Sequence, residues 1–432
     1  MRRLHSLCSR TAFAILLGAV WLSSSRAKAD VTLFDADGWT FRTSGLVAAH
    51  YQLIMGDADP KNSKTLIGGR IQDEGLSGNS NTNKLVMSDI RSGFIGTQMG
   101  FGLSRQISPT VRVDSFLAAN VNGINSNRGQ DTVAPKAVDY REAWAQVETP
   151  YGSVKFGRMF GLFASGSAAV VAMAYQYGVG HPCAVNASTI ACGSVGAGPL
   201  YAGFDAAIRY TSPRIAGFQL QLAVVDPDVT SKEKMSPLPR VDAEINYDQT
   251  FGGARVRLIG QSMVNRIENS QNMTVTAKTI WAAMGTALVD IGALSIGGGG
   301  WTGKGIGERV PLEAADPSNP LFEDQNGVLR QQAGFYGNVQ VNYMDNSLTV
   351  GGGELLVKLT DLDLSMQTPS LTLTDQYEGH VTLNHKFGGC LVVNVEYMRW
   401  HTDWQNDPTS PAGTPNQQQT LNFMGAGMNY IW

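Results

Sequence analysis

From residue 30 onward, apolar and polar positions alternate with a period of two. In 332–343, Ala333, Phe335, Val339, Val341 and Tyr343 share one face, and Gln332, Tyr336, Asn338, Gln340 and Asn342 the other. In 216–226, Phe218, Leu220, Leu222 and Val224 oppose Gln219 and Gln221. In 240–250, Val241, Ala243, Ile245 and Tyr247 oppose Asp242, Glu244, Asn246 and Asp248. Successive side chains of a strand point to opposite faces, so each segment reads as a strand with one apolar and one wet face. One such strand also fits a soluble antiparallel sheet. The full set is more restrictive. Strands are predicted over 38–55, 88–106, 109–122, 139–149, 152–159, 205–212, 216–226, 240–250, 253–267, 273–290, 292–302, 330–345, 347–359, 371–387, 390–403 and 418–432, sixteen in all.

Their connections alternate in length. Turns at 107–109, 149–152, 212–215, 251–253, 345–346 and 387–389 are short; 56–87, 123–138, 160–204, 227–239, 303–329, 360–370 and 404–417 are long, with 268–272 a short exception. Short turns at one rim and long loops at the other are the plan of an outer-membrane barrel, whose closure leaves no strand edge for lipid to satisfy. The expected fold class is therefore all-β, a 16-stranded antiparallel transmembrane β-barrel with short periplasmic turns and long extracellular loops. A soluble sandwich does not need an apolar face on every strand with no second layer to cover it. The chain ends in alternation, with Met424, Ala426, Met428, Tyr430 and Trp432 on one face. Tyr430 and Trp432 resemble the terminal assembly signal of outer-membrane barrels. Trp39, Tyr51, Tyr210, Tyr247, Trp281, Tyr343 and Tyr397 fall near strand ends or on the apolar face and are candidates for aromatic girdles.

Composition narrows this further. Charged residues make up 16% of 432, against about 25% in a soluble domain. Residues 1–29 read as a secretory signal. Arg2, Arg3 and Arg10 precede the apolar run Ala12 to Leu22, and Ala27-Lys28-Ala29 offers small residues at the cleavage site. The barrel would then be 30–432. Its 28 basic and 36 acidic residues give a net charge of −8, which disfavours nucleic acid as a partner. Cys183 and Cys192 lie in a Gly-rich stretch and are expected to pair in an oxidising compartment; Cys390 is the odd one and is expected to be a buried free thiol.

Several motifs resemble the Gram-negative general porins. Asp89-Ile90-Arg91-Ser92-Gly93-Phe94-Ile95-Gly96 is similar to their second strand. Arg141-Glu142-Ala143-Trp144-Ala145-Gln146-Val147 and Tyr151-Gly152-Ser153-Val154-Lys155-Phe156-Gly157-Arg158 resemble the fourth and fifth. Ile208-Arg209-Tyr210-Thr211-Ser212-Pro213, followed by Gly217-Phe218, resembles the sixth and seventh. The resemblance implies a homotrimer with the third loop, here 160–204, folded into the lumen. It points to Arg91, Arg141, Arg112, Asp114, Glu142 and Arg158 as constriction candidates, and to Tyr175, Tyr177, His181 and Tyr201 as third-loop residues in the lumen. The third loop departs from the family pattern, because it contains no Asp, Glu, Lys or Arg.

The function expected is passive diffusion of small hydrophilic solutes and ions across a bacterial outer membrane. The alternative is a selective channel for neutral or weakly apolar solutes. Partners would be the chain itself, outer-membrane lipid and lipopolysaccharide, and the barrel-insertion machinery. No cofactor or metal is implied. Gly298 to Gly305 nearly matches a phosphate-binding loop but ends in Gly where a hydroxyl is required, so a Gly-rich strand is the better reading. Ala168 to Ala174 is expected to form a short loop helix. No catalytic histidine motif is present, and His380 and His385 fall on opposite faces of one strand, so the chain is not expected to be an enzyme.

Overall fold

The computed structural model describes residues 31–57, 66–67, 84–121, 138–180, 196–226, 233–235, 238–269, 277–306, 322–324, 326–365, 371–405 and 418–432. The strands are β1 (Val31–Ala36), β2 (Trp39–Asp57), β3 (Leu66–Ile67), β4 (Lys84–Arg91), β5 (Gln98–Ser108), β6 (Val111–Val121), β7 (Val138–Thr149) and β8 (Gly152–Phe160). After helix α1 (Ser165–Tyr175) come β9 (Phe204–Thr211), β10 (Phe218–Val225), β11 (Glu233–Met235), β12 (Arg240–Phe251), β13 (Ala254–Asn269), β14 (Ala277–Ile291) and β15 (Leu294–Lys304). Then follow β16 (Gln331–Tyr343), β17 (Asn346–Lys358), the short helix α2 (Asp361–Ser365), β18 (Leu371–Phe387), β19 (Leu391–Trp404) and β20 (Gln418–Ile431).

Nineteen of these twenty strands form sixteen antiparallel staves. β1 continues the stave of β20, because both pair with β2 at different heights. β4 and β5 likewise share one side of β2, β11 prolongs β12 along β13, and β3 stands outside the wall, paired in parallel with β18. β2 and β20 close the barrel in register from Leu46↔Ile431 to Gly56↔Leu421. Trp432 locks the seam: its N–H donates to Gly45 O at 3.1 Å, and Gly45 N–H donates back at 2.9 Å. A Cβ on Gly45 would press into the Trp432 ring.

The predicted faces hold. Phe335, Val339 and Val341 are 53%, 45% and 47% exposed on the outer wall, while Gln332 and Asn338 are buried inside. An outer wall exposed in the isolated chain is what a lipid-facing surface requires. Tyr51, Tyr210, Trp281, Tyr343 and Tyr397 are also exposed. The alternation did not reveal β1, nor the interruption between β4 and β5 within predicted strand 88–106. There Gly93 and Gly96 take positive φ values of 85° and 78°, a conformation that ends the ladder. The phosphate-loop-like segment lies in β15 and its exit, as a Gly-rich strand. Cys390 is free and exposed rather than buried, because it sits in the turn between β18 and β19.

At the extracellular end, Arg330 is buried and forks onto Asp363 of α2 at 2.8 Å through both Nε and Nη2. Its Nη1 donates to Glu323 O, and Glu323 pairs with Lys278. With Phe322, Leu329, Leu373 and Trp404 these groups make a packed cap over that part of the rim.

Candidate pore constriction

The third loop runs inside the barrel. α1 packs against the inner wall of β13–β18. It meets the wall with one face and turns the other to the lumen, and both faces are built of small or apolar residues. Gly166, Ser167, Val170, Val171, Ala174 and Tyr175 are buried against the wall. Ala168, Ala169 and Ala172 on the other side are half-buried, and Gln176 is exposed. The wall makes room by omitting side chains. Gly297, Gly334 and Gly353 lie beneath the loop, and a Cβ on them would meet Met173, Gly198 O and Ala197 O respectively.

Acidic residues of the wall hold this uncharged loop by its backbone and hydroxyl groups. Asp242 accepts from Phe163 N–H at 3.4 Å and Glu244 from Ser165 Oγ at 3.2 Å. Glu378 accepts from Tyr175 Oη at 3.2 Å, and Glu396 from Val179 N–H at 2.7 Å and Gly180 N–H at 3.3 Å. Amide groups complete the seat: Asn338 donates to Val170 O, Gln340 to Met173 O and Asn429 to Tyr177 O. Phe94 N–H reaches Gly178 O at 2.8 Å, so the interruption between β4 and β5 is a docking point for the loop. The loop itself carries no acids, and the wall supplies them. Parity alone places Asp242 and Glu244 inside; it does not reveal what they bind.

The wall of β6–β9, across from this seat, carries the cations. Arg112 and Asp114 form an ion pair at 2.7 Å, with the Arg112 side chain 42% exposed. Lys155 Nζ lies 3.8 Å from the Trp144 ring centroid, and Trp144 Nε1–H donates to Glu142 at 2.8 Å. Arg209 Nη2 donates to Phe160 O at 2.6 Å, at the start of the third loop. A register shift between Ala118 and Asn120 leaves an extra residue in β7. Arg141 and Glu142 therefore both lie between outward Tyr140 and outward Ala143, and the Arg141 guanidinium stands 5.8 Å from the Phe204 ring centroid. The backbone of Arg91 pairs with His50, whose buried side chain is on the lumen side.

Two expectations need correction. Arg158 is exposed and shares its face with Val154 and Phe156, which are outward, so strand parity removes it from the constriction. Tyr175 belongs to the loop but points away from the open lumen, with its ring 4.7 Å from His380 on the wall. Tyr201 packs with Phe94, Phe160 and Phe204, and Tyr177 lies 5.3 Å from Lys386 Nζ. His181, Cys183 and Cys192 lie outside the described residues. The family resemblance does not single out Lys155, Arg209 or Trp144 as site residues. Lys155 alternates with Val154 and Phe156, and Arg209 with Ile208 and Tyr210, so the pattern already carried the signal.

A transmembrane β-barrel whose polar interior is narrowed by its own third loop is the architecture of a membrane pore. The chain belongs to the Gram-negative porin family, which it matches over residues 12–405. Its fold is similar to that of the outer-membrane channel DcaP of Acinetobacter baumannii, with TM-score 0.63 and 14% identity, covering 95% of this chain and 100% of that one. It is also similar to an anion-selective porin from Comamonas acidovorans, with TM-score 0.58 and 8% identity over 91% of this chain and 100% of that one. Salmonella typhi OmpF in complex with daunomycin gives TM-score 0.54 and 11% identity over 92% of this chain and 99% of that one. No curated protein sequence matches the chain. The protein is an outer-membrane channel for passive diffusion.

Proposed function

We propose that the chain, exported through residues 1–29 and assembled as a homotrimer, forms a water-filled pore for small hydrophilic solutes and ions with a preference for anions. The observation that carries this is the division of charge around the third loop. Asp242, Glu244, Glu378 and Glu396 are engaged by the loop, while the wall across the lumen presents Arg112, Arg141, Lys155 and Arg209. Charges farther than about 10 Å are screened at 0.1 M salt, so these near cations outweigh the overall charge of the chain. The test is the zero-current potential in a KCl gradient across a planar bilayer. Replacing Arg112 and Arg141 together by Gln is expected to move it toward cation preference, most strongly at low salt. An unchanged potential with the barrel intact would refute the assignment. The family and fold are those of non-enzymatic channels.

A further inference from the structure

Two aromatic side chains face the water column. Phe116 and Trp144 are register partners on the lumen face, with ring centroids 5.8 Å apart and planes tilted by 36°. Both are half-buried. Their next neighbours in the same row are glycines, Gly102 beside Phe116 and Gly157 beside Trp144. A Cβ on nearby Gly100 would strike the tip of the Phe116 ring. The glycines let the rings lie along the wall as a shelf, and the Arg42 side chain crosses Gly102 at the Phe116 edge, so that a cation flanks this end as well. At one edge of the shelf Lys155 holds its ammonium 3.8 Å from the Trp144 centroid. Of the adjacent carboxylates, Asp114 is ion-paired with Arg112, while Glu142 and Glu148 keep their charge and are oriented by the Trp144 indole N–H and the Gln146 amide, so the solute's carboxylate must meet Lys155 on the side away from them. Across the lumen α1 turns alanine methyl groups, and its whole loop carries no acid to repel an anion.

We propose that Phe116, Trp144 and Lys155 form a transit site for amphipathic monoanions, small carboxylates that carry a ring or a short hydrocarbon body. This deepens the diffusion-channel reading and rests on it. The carboxylate pairs with the Lys155 ammonium, and the apolar body covers Phe116 and the open part of Trp144, removing apolar surface from water. A neutral ring gains only the second contact, and acetate or chloride only the first. Binding must stay weak enough for the solute to leave, as conduction requires.

The experiment is single-channel recording of the full chain in planar bilayers, with benzoate as the probe. Benzoate and cyclohexanecarboxylate are expected to reduce the chloride current with a saturating concentration dependence that weakens as salt rises; acetate and benzamide are expected not to. Phe116→Ala and Lys155→Gln should each raise the half-blocking concentration about tenfold, the equivalent of about 1.4 kcal/mol. Lys155→Arg should retain the block, and Phe156→Ala, on the outer face of the same sheet, should leave it as in the wild type. An ohmic channel with no saturable block, or a block that survives both Phe116→Ala and Lys155→Gln, overturns the site while leaving the channel reading intact. Absence of any ohmic conductance overturns the channel reading and the site with it.

Discussion

Glu396 is the strongest single tether between wall and loop. Its side chain is 3% exposed and receives Val179 N–H at 2.7 Å and Gly180 N–H at 3.3 Å. Gly178 and Gly425 crowd it closely enough that a Cβ on either would press against the carboxylate. Glu396→Ala leaves two buried N–H donors without that acceptor. Each costs about 1–3 kcal/mol, or about 2–6 kcal/mol together. At about 1.4 kcal/mol per decade, the population with 176–180 lifted from the wall should rise by roughly one to four powers of ten. The rest of the loop keeps its contacts to Asp242, Gln261 and Asn338, so the effect is local and the barrel is spared. Single-channel recordings should show higher open-channel noise and closure at lower voltage, while the heat-resistant folded form persists on gels. Glu396→Gln keeps one carbonyl oxygen and should be milder. An Ala variant with a folded barrel, wild-type noise and wild-type closure voltage would refute the tether.

Other consequences are open to direct measurement. Val339→Arg places a charge on the lipid face nearer the middle of β16, where the cost is about 2–4 kcal/mol at the bilayer midplane, whereas Gln340→Arg points inward; refolding yields into vesicles should differ accordingly, and equal yields would reverse the face assignment. Deleting Trp432, or replacing Gly45 with Val to displace its ring, should lower the fraction of chain reaching the outer membrane folded, read by heat-modifiable migration; normal yield in both would remove the seam from the account. At Asp363, burial pushes the carboxyl up, but the hydrogen bond and charge of Arg330 prevail and hold it below its ordinary value. Its stabilisation of the cap is therefore complete above the unfolded value of about 3.9 and lost as pH falls through the lower folded value. Protease access to the 322–365 cap should stay low from pH 7 to about 4 and rise only below it, and Asp363→Asn should give the open behaviour already at pH 7. Loss of protection near pH 6 in the wild type would contradict this pairing.

Much of the molecule was legible in one dimension. A strand has a period of two and lipid is unforgiving, so Phe335, Val339 and Val341 against Gln332, Asn338 and Gln340 decided inside from outside before any coordinates. The same rule, applied strictly, places Lys155 and Arg209 inside and Arg158 outside; family resemblance blurred the last of these. Stave count and loop lengths followed, because turns and long connections differ in composition and length.

What the sequence could not decide is where chain segments far apart meet. Glu396 and Val179 are separated by 217 positions, and no local pattern announces that a wall carboxylate will cap a loop backbone. The extra residue in β7 that places both Arg141 and Glu142 between outward Tyr140 and outward Ala143 is likewise a matter of register with β6, set by pairing rather than by β7 itself. Nor do the glycine runs at 297–300 and 351–353 declare their use. Alternate members, such as Gly297 and Gly353, clear the inner wall for the third loop, and that clearance exists only once the barrel has closed around it. Alternation fixed the faces of each strand because it is a property of the strand alone; the site arises from contacts that closure of the barrel creates.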